Sequence, residues 1–68
     1  MTHEELVMIL NMLKNKEMEI FQIDDLEIIY NHYMNGGEWE VFNKYSDHTE
    51  YGAYNDVDEL ADLILDYI

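Results

Sequence analysis

The sequence predicts an α+β fold in one small domain over residues 1–68, with a helix, an antiparallel meander of three or four strands and a second helix in two layers. Apolar residues recur at helical spacing near both ends of the chain. Between them, short alternating segments flank the turn dipeptide Asn35-Gly36, which favours a β-hairpin. Hydrophobic residues make up 49% of the chain, so we expect it to fold in spite of its many acidic residues.

The first helix is predicted at about residues 3–15. Thr2 and Glu5 have the spacing of a capping box, in which each side chain accepts a hydrogen bond from the other residue's backbone N–H. Acidic residues at the start of the segment and lysines at its end suit the helix dipole. The apolar stripe that follows the cap is Leu6, Ile9, Leu10 and Leu13.

Two strands are predicted next, at residues 18–23 (MEIFQI) and 26–34 (LEIIYNHYM), joined by a turn at Asp24-Asp25. The second segment is rich in isoleucine and tyrosine, which are common in strands. A helix remains an alternative for residues 26–34, because several of their side chains also fit a helical stripe that Gly36 could end.

The hairpin turn favours the strand over the helix. Residues 38–45 (EWEVFNKY) alternate after Asn35-Gly36, as expected for a strand with one buried face. A two-residue loop predicts the register Met34 opposite Gly37, His32 opposite Trp39 and Tyr30 opposite Val41. The face of the sheet away from the helices is predicted to stay open and to carry Glu27, Tyr33, Glu38 and Glu40.

The last third of the chain predicts a loop at residues 46–48, a strand at 50–54 and a helix. Gly52 weakens that strand or marks a bulge. Asn55 or Asp56 is predicted to cap the helix. The apolar stripe of the helix is Val57, Leu60, Ala61, Leu63, Ile64 and Tyr67. The predicted core includes Leu10, Leu13, Trp39, Val41, Leu60 and Ile64.

The charge balance is the feature that bears most directly on function. Sixteen acidic residues stand against three lysines and no arginine, which gives a net charge of −13. So much charge on a small surface repels itself and favours cationic partners. We expect no direct binding to nucleic acid, because the chain has few cations to displace phosphate counterions. Anionic membrane surfaces should also repel it.

Imitation of a phosphate backbone requires the acidic residues to cluster. Spread evenly, the carboxylates would lie about 17 Å apart, which is too sparse to resemble DNA. Three clusters are visible: Asp24, Asp25 and Glu27; Glu38 and Glu40; and Asp56, Asp58, Glu59, Asp62 and Asp66. The predicted partner-binding residues are Tyr33, Glu38, Glu40, Asp58, Glu59 and Asp62. The alternative is that these acids form a solvated shell that keeps a small protein soluble.

The sequence gives little support to other chemistries. It has no cysteine, which excludes disulfides and thiolate zinc sites and favours the cytoplasm. His48 beside Asp47 is the one candidate for a metal site, and no metal is predicted. Because the sequence has neither a nucleophilic arrangement nor a glycine-rich phosphate loop, no cofactor and no enzymatic activity are predicted.

In size, acidity, lack of cysteine and arginine, and order of elements, the whole chain resembles small phage-encoded inhibitors of host defence. It looks most like the anti-CRISPR proteins that imitate DNA, particularly those that act on Cas9-type nucleases. The resemblance lies in composition and architecture rather than in a motif. It implies competition, in which carboxylates engage the arginines and lysines that read a PAM or hold the phosphate backbone.

Two other functional classes remain open. An immunity or antitoxin protein would neutralise one cognate nuclease with similar electrostatics. A small adaptor module could self-associate through the open sheet face or an edge strand, so both a monomer and a homodimer are possible. For a DNA-imitating inhibitor and for an immunity or antitoxin protein, the expected partner is a basic nucleic-acid-binding protein, such as a Cas effector or a restriction enzyme. The expected location is the cytoplasm of the cell.

Overall fold

The computed structural model describes residues 1–33, 36–45 and 50–68. These residues form two helices and one antiparallel sheet, whose strands come between the helices in sequence. The elements in chain order are α1 (His3–Lys14), β1 (Phe21–Ile23), β2 (Leu26–Asn31), β3 (Glu38–Asn43), β4 (Glu50–Tyr54) and α2 (Val57–Tyr67). The strands lie in the sheet in chain order. The predicted helix–meander–helix α+β fold is therefore confirmed, with four strands. In the described part of the chain, no helix is long and apolar enough to cross a membrane.

A single hydrophobic core joins both helices to one face of the sheet. Every residue predicted for the core is buried, and the buried set is Leu6, Leu10, Leu13, Leu26, Ile28, Trp39, Val41, Leu60, Ala61 and Ile64. The indole N–H of Trp39 donates a hydrogen bond to the backbone oxygen of Leu10 at 2.8 Å, which fixes β3 against α1. Trp39 can be buried here because its polar atom has a partner.

Both helices begin at caps that the sequence predicts. The Thr2 hydroxyl accepts from the Glu5 amide at 3.1 Å, and the Glu5 carboxylate accepts from the Thr2 amide at 2.9 Å. The backbone hydrogen bond from Thr2 lowers the pKa of Glu5. At α2, the Asp56 carboxylate accepts from the amides of Asp58 and Glu59. These bonds satisfy amides that a helix start otherwise leaves unpaired.

The first strand is shorter than predicted. It begins at Phe21 rather than at residue 18, because the chain must first reverse direction after α1. Lys16 adopts a left-handed conformation with φ of 65°, and the amides of Glu17 and Met18 both donate to the backbone oxygen of Met12. The alternating pattern from residue 18 does not reveal that residues 18–20 belong to the connection between α1 and β1. The predicted turn at Asp24-Asp25 is present, with Asp24 at a φ of 51°.

The predicted hairpin register is wrong by two residues. Strand β2 ends at Asn31, so His32 and Tyr33 lie in the turn that follows it. The observed partners are Tyr30 opposite Trp39, Ile28 opposite Val41 and Asn31 opposite Glu38. A shift of two residues keeps every side chain on its predicted face, because the side-chain period of a strand is two. Residues 34 and 35 lie outside the described residues. They belong to the predicted Met34–Gly37 pair and to the predicted Asn35-Gly36 turn.

Packing of Tyr30 explains the observed register. Its ring meets the Trp39 ring edge to face at 5.0 Å between centroids. Its hydroxyl occupies the space beside Gly37, where a Cβ atom would overlap it, and Gly37 has a φ of 108°. Glycine is required at this position both for space and for the positive φ.

The last strand contains the bulge that Gly52 suggests. Val41 pairs with Gly52 and Phe42 pairs with Glu50, so Tyr51 is the extra residue on β4. A bulge of this kind bends the strand and redirects a side chain. The predicted loop at 46–48 lies outside the described residues.

Candidate functional site

Most of the acidic residues in the predicted clusters lie on two separate surfaces. The sheet carboxylates are Glu27, Glu38 and Glu40, which alternate with core residues along β2 and β3 and therefore occupy the open face. The α2 acidic row consists of Asp58, Glu59, Asp62 and Asp66, all of them exposed. Because α2 packs on the inner face of the sheet, these two surfaces point in opposite directions. They do not form one continuous acidic face.

The sheet carboxylates are only half-exposed and take part in cross-strand contacts. Glu40 lies opposite Ile29 and accepts from the Asn31 side-chain amide at 2.9 Å. Glu27 lies opposite Phe42 and accepts from the Gln22 side-chain amide at 2.8 Å. Directly opposite residues on one face lie close enough for their side chains to cover each other. These carboxylates therefore pack against neighbouring side chains on the sheet surface as well as charging it.

Tyr33 does not lie in a strand as predicted. Tyr33 is 96% exposed, but it follows the end of β2, and its backbone N–H donates to the Asn31 side chain at 2.9 Å. The predicted register would set Tyr33 opposite Glu38, but Glu38 pairs with Asn31 instead. Tyr54 packs against the core, whereas Tyr51 is about half exposed beside α2.

The α2 acidic row has a high density of charge along the helix. From Asp58 to Asp66, its four carboxylates lie along about 12 Å of helix axis at a rise of about 1.5 Å per residue. This corresponds to one charge per roughly 4 Å, close to the 3.4 Å per phosphate of one DNA strand. The last turn of α2 contains no basic residue. Lys14 lies at the far end of α1 from His3, with its ammonium group 5.9 Å from the centre of the Trp39 ring.

His3 joins the start of α1 to one flank of the α2 acidic row. Its Nε2 atom lies 3.0 Å from Asp58 Oδ1, and its Nδ1 atom lies 2.9 Å from Asp62 Oδ1. Carboxylates only accept hydrogen bonds, so both contacts are satisfied at once when the imidazole carries two protons. The hydrogen bond to Asp58 is the largest influence that raises the pKa of His3.

Sequence reasoning missed this contact, since His3 is separated from Asp58 by 55 residues and from Asp62 by 59. One signal was available. A cation is disfavoured in the first turn of a helix, where the dipole is positive. A histidine at that position, in a chain of sixteen acids, therefore suggests a carboxylate partner from elsewhere in the fold.

Among the described residues, no group of three or more histidine, aspartate or glutamate side chains is arranged to hold a metal ion. The predicted candidate pair, His48 and Asp47, lies outside those residues. The contact of His3 with Asp58 and Asp62 becomes an ion pair between the helices when the imidazole is protonated, so this link depends on pH.

No protein-family model matches this chain, and no curated protein or solved structure shows significant similarity to it. The residues and geometry of the chain itself are therefore the basis for assigning a function.

Proposed function

We propose that this protein is a non-enzymatic inhibitor that occupies the cationic nucleic-acid-binding groove of another protein and excludes DNA or RNA from it. The observation that carries the proposal is the charge density of the α2 acidic row, which approaches that of one DNA strand. In the proposed mechanism, carboxylates of α2 engage the arginines and lysines that otherwise bind phosphates. Nucleases such as Cas effectors and restriction enzymes have grooves of this kind.

The α2 acidic row suits this role better than the sheet carboxylates do. Its members are exposed, whereas Glu27, Glu38 and Glu40 are half-buried among neighbouring side chains. Asp56 caps the helix and Leu60 and Ile64 anchor it in the core, so the row is held rigidly before binding. Rigid presentation reduces the entropy lost on association.

Displacement from immobilised DNA tests the proposal. Bacterial lysate is loaded on DNA-cellulose at low salt, the column is eluted with this protein, and the eluted proteins are identified by mass spectrometry. We expect one nucleic-acid-binding protein to be released selectively. The released protein is then purified, and its association rate with this protein is measured at low and moderate salt.

Two matched triple variants locate the surface. Glu59→Gln with Asp62→Asn and Asp66→Asn removes three charges from α2, and Glu27→Gln with Glu38→Gln and Glu40→Gln removes three from the sheet. We expect the α2 variant to slow association by about tenfold or more at low salt and the sheet variant to change it much less. Circular dichroism of both variants checks that they are folded.

Three outcomes would contradict the proposal. Elution of no protein at low salt would remove the predicted target class. If added DNA does not compete with this protein for the released protein, an immunity or antitoxin protein bound to its cognate toxin is favoured instead. Equal effects of the two triple variants would show that total charge, rather than the α2 acidic row, controls association.

A further inference from the structure

An apolar groove of about 180 Å³ lies on the flank of α2 that faces away from His3. Its floor consists of buried side chains from both layers: Val41, Leu60 and Ile64. Its mouth consists of Tyr51, Leu63 and Tyr67, which are 48%, 43% and 52% exposed. Leu63 and Tyr67 belong to the predicted apolar stripe of the helix, yet they line an open groove instead of filling the core.

The two flanks of α2 differ in what accompanies their carboxylates. Residues three or four apart share one side of a helix, so Glu59 and Asp66 both lie beside Leu63. These two acids lie seven positions apart in the sequence, or about 10 Å along the helix axis. Asp58 and Asp62 lie on the other flank, where His3 contacts both. The exposed apolar side chain of Leu63 is therefore bracketed by carboxylates on the side without the histidine.

The mouth of the groove is held in place by polar contacts. The Tyr67 hydroxyl donates to Asp25 Oδ2 at 2.8 Å, which links the end of α2 to the turn between β1 and β2. This hydrogen bond is the main reason that the pKa of Tyr67 is raised to about 12. The Asn43 side chain donates to the Tyr51 hydroxyl, and the Tyr51 and Tyr67 rings lie 6.4 Å apart. Asp25 adds a third carboxylate at the mouth.

We propose that this groove binds a partner segment that presents one leucine- or phenylalanine-sized side chain flanked by arginine or lysine. An apolar cavity of about 150 Å³ accepts a benzene-sized group, so the groove has room for one such side chain. The carboxylates at its rim select cations on either side of that anchor. They also disfavour a second copy of this chain, because each copy has a net charge of −13. The assignment holds whether or not the partner binds nucleic acid.

Synthetic peptides test the groove directly. The first probe is a five-residue peptide with phenylalanine between two Arg-Lys pairs, and its control has alanine in place of phenylalanine. We expect the phenylalanine peptide to bind about tenfold more tightly, because only it buries an aromatic ring. Added salt should weaken both peptides while leaving the ratio of their affinities nearly unchanged. Affinities and contact residues are read from an NMR titration.

Variants of exposed residues show where the peptides bind. Leu63→Ala should remove most of the preference for phenylalanine, whereas Met8→Ala should retain it, since Met8 is an exposed apolar residue on α1, outside the groove. The double variant Glu59→Gln with Asp66→Asn should weaken both peptides by a similar factor. Neither Leu63 nor Met8 is buried in the core, so both single variants are expected to fold.

Equal affinity of the two peptides would overturn the proposal, because charge alone would then explain binding. Failure of both peptides to bind would overturn it as well. Sedimentation that shows a dimer lost in Leu63→Ala would assign the groove to a second copy of the chain instead. Each of these results leaves the DNA-displacement test unaffected, because that test measures competition with nucleic acid rather than insertion of an apolar side chain.

Discussion

The open face of the sheet and the outer side of α2 are both rich in carboxylates, but they present them differently. On the sheet, Glu27 and Glu40 lie half-buried beside Phe42 and Ile29 and accept hydrogen bonds from neighbouring amides. On α2, the acidic row is exposed along its whole length. The comparison shows that a count of acidic residues does not identify the surface that is available to a partner.

Backbone geometry causes this difference. On a sheet face, side chains of adjacent strands stand about 5 Å apart, so long side chains such as glutamate cover their neighbours. On a helix, side chains radiate from the axis, and those opposite the buried stripe have few neighbours. The same residue types therefore contribute to surface packing on β2 and β3 and remain exposed on α2.

The largest expected effect comes from the core that supports both surfaces. Leu60 is the buried side chain of α2 and Ile28 that of β2 to be truncated, by Leu60→Ala and Ile28→Ala, and both side chains are fully buried. Each should lower the free energy of unfolding by about 2–5 kcal/mol, through lost burial and the cavity left behind. Chemical denaturation followed by the fluorescence of the single tryptophan and by circular dichroism measures the change.

Met8→Ala is the control, because Met8 is exposed on α1 and its truncation should cost little. The two probes should report one shared transition in every variant. Separate transitions for the helices and the sheet would show that the two surfaces do not rest on one cooperative core.

The sequence predicts the faces of the sheet better than its register. Alternation correctly places Trp39 and Val41 inside and Glu38 and Glu40 outside, because strand period is a local property. Register depends on contacts between strands. The contact of Tyr30 with Trp39 and the space that Tyr30 needs beside Gly37 come from packing, and a two-residue slip leaves the alternation unchanged.

Local sequence patterns also could not predict the contacts that make the two flanks of α2 different. The His3 contacts join positions at opposite ends of the chain, and the hydrogen bond of Tyr67 to Asp25 spans 42 residues. The spacing of the helix does predict that Leu63 lies beside Glu59 and Asp66. It does not show that Leu63 and Tyr51 line a common groove, because that depends on how β4 meets α2.

A smaller effect distinguishes the two acidic surfaces through stability. Asp66 lies in the last turn of α2, where the helix dipole is negative and no basic residue compensates. Asp66→Asn should therefore raise the free energy of unfolding by about 0.3–1 kcal/mol at low salt. Glu40→Gln should raise it less, because that carboxylate accepts a hydrogen bond from Asn31. Thermal unfolding at low and high salt measures both, and the difference between the variants should shrink as salt is added.

Equal stabilisation by Asp66→Asn and Glu40→Gln would mean that only total charge matters. In that case the structural distinction between the two surfaces would have no energetic counterpart. A loss of stability in Asp66→Asn would indicate that this carboxylate has a favourable contact that its position in the helix does not suggest.

The smallest expected effect depends on pH and concerns the paired flank of α2, which consists of Asp58 and Asp62 with their contacts to His3. The pKa of His3 is raised in the folded protein by its bond to Asp58, so the proton binds more tightly to the folded state than to the unfolded one. This contribution to stability is fully present below the unfolded pKa of about 6.5 and is lost as pH rises through the higher folded value. The melting temperature of the wild type should therefore exceed that of His3→Gln most clearly between about pH 5 and 6.5, with the gap closing at higher pH.

An NMR titration of the His3 ring checks the same link in the folded state. Asp58→Asn with Asp62→Asn should return its pKa toward the ordinary value, because both raising contacts are then uncharged. A constant difference in melting temperature from pH 5 to pH 9, together with an unshifted titration, would rule out the ion pair. If the shift is found, the charge of the paired flank changes with pH while the flank beside the groove keeps its carboxylates. Partner binding at Glu59 and Asp66 should then change with pH much less than protein stability does through the contact of His3 with Asp58 and Asp62.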